Sequence, residues 1–230
     1  MKTLGIIGGI GPESTIDYYR SLIHAWREQT KDGSSPAIVL NSIDLKKMLD
    51  LIAANALPEA TAYLSGEMHR LARAGADVGL FAANTPHIVF DELQRRSSIP
   101  LISIVEATRE AAEELGLCRL GLFGTRFTMQ GHFYPDVFSK AGIALVVPDE
   151  NEQAYIHDKY MNELVKGVFL PETREQLLAI VDRLAKQEHA QGLILAGTEL
   201  PLILREAGCG IPFLDTTQIH VEAALSCLLS

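Results

Sequence analysis

"LGIIGGIGPEST", residues 4–15, decides the fold. It belongs to a short apolar run, "TLGIIGG" (3–9), which breaks at Gly8, Gly9 and Gly11 and then meets Pro12, Ser14 and Thr15. A buried strand, a tight glycine turn and a helix start are the natural reading of that order. A helix is expected over 14–29. The same order returns in "LGLFGTRFTMQG" (120–131). Other short apolar runs read as strands: "AIVLNSID" (37–44), "DVGLFAA" (77–83), "PLISIV" (100–105), "RLGLFGT" (119–125), "ALVVP" (144–148), "GLILAGT" (192–198) and "IPFLD" (211–215). Longer amphipathic stretches separate them, with helices expected over 58–74, 173–187 and 219–229. Continuous apolar strands alternating with helices mean parallel sheets covered on both faces, so the class is α/β.

The chain also repeats itself. Leu4 and Leu120 open matching strand–loop–helix signatures, and "GADVGLFAANTP" and "AQGLILAGTELP" end matching strands at Thr85 and Thr198. The two intervals are nearly equal. Two pseudo-symmetric lobes follow as the expectation, each a mostly parallel sheet flanked by helices. Residues 1–100 plus 211–230 form the first and 101–210 the second, with a cleft between them.

Composition narrows the function. The 230 residues are 47% hydrophobic and 21% charged, ordinary globular values that allow a substantial core. The net charge of −9 comes without any basic cluster, which argues against nucleic acid as partner. Cys118, Cys209 and Cys227 have neither disulfide-framework nor metal-ligand spacing, so no metal site is expected. Sparse cysteine, no leader-like N-terminus and no apolar run of membrane length point to a cytoplasmic protein that does not enter a membrane.

Ligands of parallel sheets bind beyond the carboxyl ends of the strands. Four such ends carry polar residues. "GGIGPEST" (8–15) presents Gly9 and Gly11 before a helix, which suits a small carboxylate or phosphate, or is simply a tight turn. It fits neither a dinucleotide fingerprint, for which Asp44 is only a remote acidic partner, nor a P-loop. "AANTPH" (82–87) offers Asn84, Thr85 as a cap before Pro86, and His87 as acid/base or packed histidine. "GTRFTM" (124–129) offers Thr125, Arg126 and Thr128. "GTELP" (197–201) offers Thr198 and Glu199, as ligand groups or as helix caps.

Together the four motifs resemble the aspartate/glutamate racemase family, which includes broad-specificity amino-acid racemases. The resemblance covers essentially the whole chain, and "IPFLDTTQIHVEAAL" (211–225) is similar to the family's last strand and helix. It implies an isomerase with two pseudo-symmetric α/β lobes, an active site between them, no metal, no pyridoxal phosphate or other cofactor, and a homodimer, to which Trp26 would contribute. It further implies a small amino acid or dicarboxylate held by Gly9, Gly11, Asn84, Thr85, Thr125, Arg126, Thr128, Thr198 and Lys166. Family chemistry places one cysteine on each face of the substrate α-carbon, because a single base returns the proton to the face it left. Both groups must be protonatable near neutral pH.

Neither cysteine is present. The first position is Ala82 or Ala83, according to which subgroup's spacing is followed, and the second is Gly197. The three existing cysteines read as core or surface filler. A two-thiol mechanism is therefore excluded. Glu199 and His87 remain as candidate proton carriers, with Thr85 and Thr198 as relays. The alternative is a family member that keeps its carboxylate cradle and serves as a binding or regulatory protein. An acidic ligand would need a cation, and Arg126, Lys166, Lys46 and Lys47 are the obvious donors.

Overall fold

A computed structural model describes residues 2–204 and 210–230. Among the described residues, seven strands form two parallel sheets. The first sheet holds β1 (Thr3–Gly8), β2 (Ala37–Ser42) and β3 (Val78–Phe81) in the order β2-β1-β3. The second holds β4 (Arg119–Gly124), β5 (Ala144–Val146), β6 (Gly192–Ala196) and β7 (Phe213–Asp215) in the order β5-β4-β6-β7. All pairings are parallel. The α/β class follows directly, and the repeated sequence is a repeated topology. The strand that opens each copy is central, the second lies on one side and the third on the other.

Burial explains the sequence signal. In β3 and β6 every residue is buried, and β1 and β4 are buried at all but their first residue. The edge strands β2 and β5 are mostly half-buried or exposed. β3 is also at an edge of its sheet but is flanked by the Gly79–Leu101 bridge and buried throughout, so polar residues are tolerated at the edges left uncovered.

The chain divides into two compact units, Met1–Ile104 with His220–Ser230, and Val105–Ile219. In the first unit, Leu4, Ile6, Tyr18, Leu22, Trp26, Val78 and Leu80 pack with Val221, Ala224, Leu225 and Leu228 of the last helix, Thr216–Leu229. In the second, Phe123, Leu193 and Leu195 form a core with Ile156, Tyr160, Leu177, Val181 and Leu184.

Several expectations need correction. "PLISIV" is not a strand. It contributes one bridge, Leu101 to Gly79, closed by Gly79 N–H to Pro100 O and Ile102 N–H to Gly79 O, each 2.9 Å. The helix Ile104–Glu114 begins too soon for more. Residues 211–219 do not join the first unit, because β7 pairs with β6. The helix Leu45–Ala53, capped by the Asp44 side chain on the Lys46 and Lys47 amides, was not expected. Asp44 is thereby a helix cap, not a ribose ligand. Trp26 is 3% exposed and its Nε1 donates to Ser34 Oγ at 2.8 Å, so it supports the core and offers nothing to a second copy. Cys209 lies outside the described residues.

Candidate functional site

The loop after β1 is held by its own side chains. Gly9 sits at φ 79° and donates its N–H to Thr15 Oγ1 at 2.8 Å, while Thr15 Oγ1 donates to Gly11 O at 3.1 Å. Thr15 lies in the helix Pro12–Thr30, whose first turn has no side-chain cap. The Gly9 amide is thus spent inside the loop, and any anion held here must use the helix start beyond Gly11 (φ 93°). A Cβ on Gly9 would strike the Ile43 carbonyl oxygen and lie 2.7 Å from the Ile43 nitrogen. Backbone cannot swing away as a side chain can. Gly9→Ala should cost about 3 kcal/mol or more, from left-handed strain plus overpacking. Urea unfolding checks this, and a cost near zero would show that the loop is pliant.

Beyond β3 the ladder extends one residue further, with Ala82 N–H on Ile7 O at 2.9 Å. Ala82 belongs to the first unit's core cluster and Ala83 does not. Alternation along a strand therefore turns Ala83 away from that core. Asn84 follows as the N-cap residue of the short 3-10 helix Thr85–Val89, without a side-chain cap bond, so Thr85 is inside the helix and does not cap it. Asn84 and Thr85 are both buried.

His87 is committed to the structure. Its Nε2 accepts the Ile104 N–H at 3.2 Å, the first amide of the helix Ile104–Glu114, and its Nδ1 lies 3.2 Å from Asn84 O. The ring stacks on Phe90, with centroids 4.6 Å apart and planes 8° from parallel. With Nε2 accepting, Nδ1 carries the proton and the imidazole is neutral. Burial, and then the neighbouring His220, depress its pKa to about 3. Both nitrogens are occupied, so this histidine caps a helix and is not placed to carry protons.

In the second unit, Thr125 follows β4 as the N-cap residue of the helical turn Arg126–Met129. Its Oγ1 lies 3.3 Å from Oγ1 of the fully buried Thr128. Arg126 is exposed, its amide donates to His157 Nδ1 at 3.2 Å, and its guanidinium makes none of the ion pairs found among the described residues. Lys166, exposed at the end of the short turn Leu164–Lys166, also forms no ion pair among them. Lys46 is paired with Asp50, and Lys47 lies over the Tyr63 ring at 4.1 Å. Of the four sequence candidates for a cation, Arg126 and Lys166 are the uncommitted ones.

The end of β6 holds what sequence reading missed. Glu199 is 4% exposed, and its Oε2 accepts both the Thr198 hydroxyl at 2.8 Å and the phenol hydroxyl of Tyr160. Tyr160 comes from the helix Glu150–Asn162. Its ring lies against Gly197: a Cβ there would be 2.5 Å from Cε2 and 3.0 Å from both Cζ and Oη. The volume a side chain at 197 would need is already filled by the tyrosine. Burial first, and the adjacent Glu199 second, push the phenol well above its ordinary pKa. In the sequence, Tyr160 reads only as one more apolar helix position. The absence of any side chain at Gly197 was the available clue.

Cys118 is exposed ahead of β4, and Cys227 is half-buried against the first unit's core. Neither lies at the carboxyl end of a strand. No three His, Cys, Asp or Glu side chains gather to hold a metal ion among the described residues.

Each unit thus carries polar residues at a strand end, Asn84-Thr85 in one and Thr198-Glu199 in the other. Residues 7–224 match the Asp/Glu/Hydantoin racemase family. The chain belongs to that family. It is similar to the broad specificity amino-acid racemase RacX of Bacillus subtilis (strain 168), with 25% identity over 99% of this chain and 98% of RacX. Among solved structures it is similar to one from Yersinia pestis provisionally described as an Asp/Glu racemase, at 32% identity and a TM-score of 0.92. A second is an aspartate racemase homologue from Pyrococcus horikoshii OT3, at 31% identity and a TM-score of 0.88. Each covers 100% of both chains.

Proposed function

We propose that this racemase-family chain binds a small amino acid or dicarboxylic acid and does not racemise it by a two-thiol route. The observation carrying the reading is the set of polar strand ends, Asn84-Thr85 in one unit and Thr125 and Thr198-Glu199 in the other, where parallel sheets bind ligands. Ala83 and Gly197 stand where the family's chemistry calls for thiols. Hydroxyls and an amide suit a carboxylate, and Arg126 with Lys166 supplies charge for a second one. The helix start at Gly11, uncapped by any side chain, is a further donor.

The protein is further expected to be cytoplasmic and homodimeric. No helix among the described residues is long and apolar enough to cross a membrane. Ile16 and Tyr19, each about half exposed on the helix Pro12–Thr30, are apolar side chains that the fold leaves uncovered for a second copy.

Melting with each enantiomer of aspartate and glutamate, and with their deaminated dicarboxylic acids, tests the reading. A bound acid at a hundred times its Kd adds about 2.7 kcal/mol, or roughly 5 °C or more in a chain of this size. Arg126→Ala should weaken acids with two carboxylates more than those with one. No shift with any of these acids would defeat the proposal. The locked His87 favours one second reading, a carboxylate-binding or regulatory protein without catalysis, in which binding occurs but no bond to the α-carbon is ever broken.

A further inference from the structure

The second unit contains a buried hydrogen-bonded chain: Tyr160 Oη donates to Glu199 Oε2, with Thr198 Oγ1 donating to the same oxygen. It lies at the end of β6 beside Gly197, the residue that replaces a proton-carrying thiol. The tyrosine hydroxyl is 3.0 Å from where the Cβ of a residue at 197 would be, so a side chain at 197 and the phenol compete for one volume. A glycine here is what lets the ring in.

We propose that Tyr160 and Glu199 are a proton relay in place of the second thiol, and that this relay acts alone, so the chain exchanges the α-proton of its ligand without inverting it. The inference rests on the ligand class proposed above. In the step, the Cα–H bond breaks and its electron pair stays on the ligand, delocalised towards the adjacent carboxylate. Tyr160 Oη receives that proton while passing its own to Glu199 Oε2. The carboxylate ends protonated, the phenol ends neutral, and the reverse transfer restores the ligand. A phenolate never forms, which fits a ring whose ionisation is opposed by burial and by the carboxylate beside it. Thr198 keeps Glu199 oriented when the phenol lets go.

Solitude follows from the other strand end. Ala82 and Ala83 carry no exchangeable side-chain proton, and both nitrogens of His87 are spent on Ile104 N–H and Asn84 O. One carrier serves one face, and the proton returns to the side it left.

The test incubates the full chain with D- and L-aspartate and D- and L-glutamate in heavy water. Mass spectrometry follows deuterium at Cα, and chiral chromatography follows configuration. Deuterium should enter one enantiomer with its configuration kept. Tyr160→Phe keeps the ring in its slot, and Glu199→Gln keeps the Thr198 bond. Each should lower exchange by about 100-fold or more, as loss of an acid/base group does. Stabilisation by the same acids should survive in Tyr160→Phe. Inversion that keeps pace with exchange would reveal a second carrier and overturn the proposal. Undiminished exchange in both variants would overturn it as well. No exchange in the parent chain, with melting still raised by the acids, removes the relay and leaves the binding proposal standing. No exchange and no stabilisation removes both.

Discussion

Gly197→Cys should destabilise the protein by about 2–6 kcal/mol and should not install a working thiol. The new Cβ would lie 2.5 Å from Tyr160 Cε2, in a ring 7% exposed and packed within the second unit's core. Overpacking of that kind costs about 1–3 kcal/mol. Moving the ring also removes the phenol from Glu199, and a buried acceptor losing a donor costs about 1–3 kcal/mol more. Tyr160→Ala alone should cost about 3–5 kcal/mol through the cavity it leaves. Because the two side chains would compete for one volume, the double variant Gly197→Cys/Tyr160→Ala should lose at least about 2 kcal/mol less than the two single losses added together. Urea unfolding of the four proteins measures that coupling. Additive losses would mean that the ring and position 197 do not share space. Any attempt to place a thiol at position 197 therefore has to trim Tyr160 first.

Acid should unfold the first unit early. His87 and His220 are both buried and neutral, with pKa values depressed to about 3 and about 4 by burial, and for His87 also by His220. His220 joins elements far apart in sequence. Its Nδ1 takes part in a 3.0 Å bond with Tyr18 Oη, and its Nε2 lies 3.1 Å from Ile102 O. Unfolded, each imidazole titrates near 6.5. Between those values the unfolded chain binds more protons than the folded one, so stability is full above about pH 6.5 and falls as pH drops towards 4 and 3. Each histidine contributes roughly 2 kcal/mol of that loss by pH 5, at about 1.4 kcal/mol per pH unit. Denaturant unfolding at pH 7 and pH 5 measures it. His220→Gln should be less stable than the parent at pH 7 yet lose less on acidification, and His87→Gln should behave alike. Equal acid losses in parent and variants would show that these rings are charged, or accessible, in the folded state.

Much of the site was legible because it sits on local chemistry. "ANTP" after an apolar run and "AGTE" after another are strand ends wherever the sheets go, and both are strand ends here. His87 was open between proton carrier and packed ring, since an imidazole's role depends on what its two nitrogens meet. One of them meets Ile104, which only the folded chain brings there. Tyr160 was invisible for the same reason. Its partners Gly197 and Glu199 are distant in sequence, and the spacing of "AYIHDKYMNEL" records helix periodicity and nothing else. "PLISIV" misled because an apolar run of that length suits a strand or a helix start, and the His87 bond to Ile104 favours the helix.

By itself the sequence determined the α/β class and the doubled strand–loop–helix plan. Each of these is written in residue type and in short-range order, where apolar period and turn chemistry act. Tertiary structure alone decided that 211–219 go with the second sheet, that Gly9 spends its amide on Thr15, that His87 is a cap and that Tyr160 fills the space beside Gly197. Those outcomes depend on which groups from remote segments reach hydrogen-bonding or van der Waals distance. Only packing of the finished core fixes that.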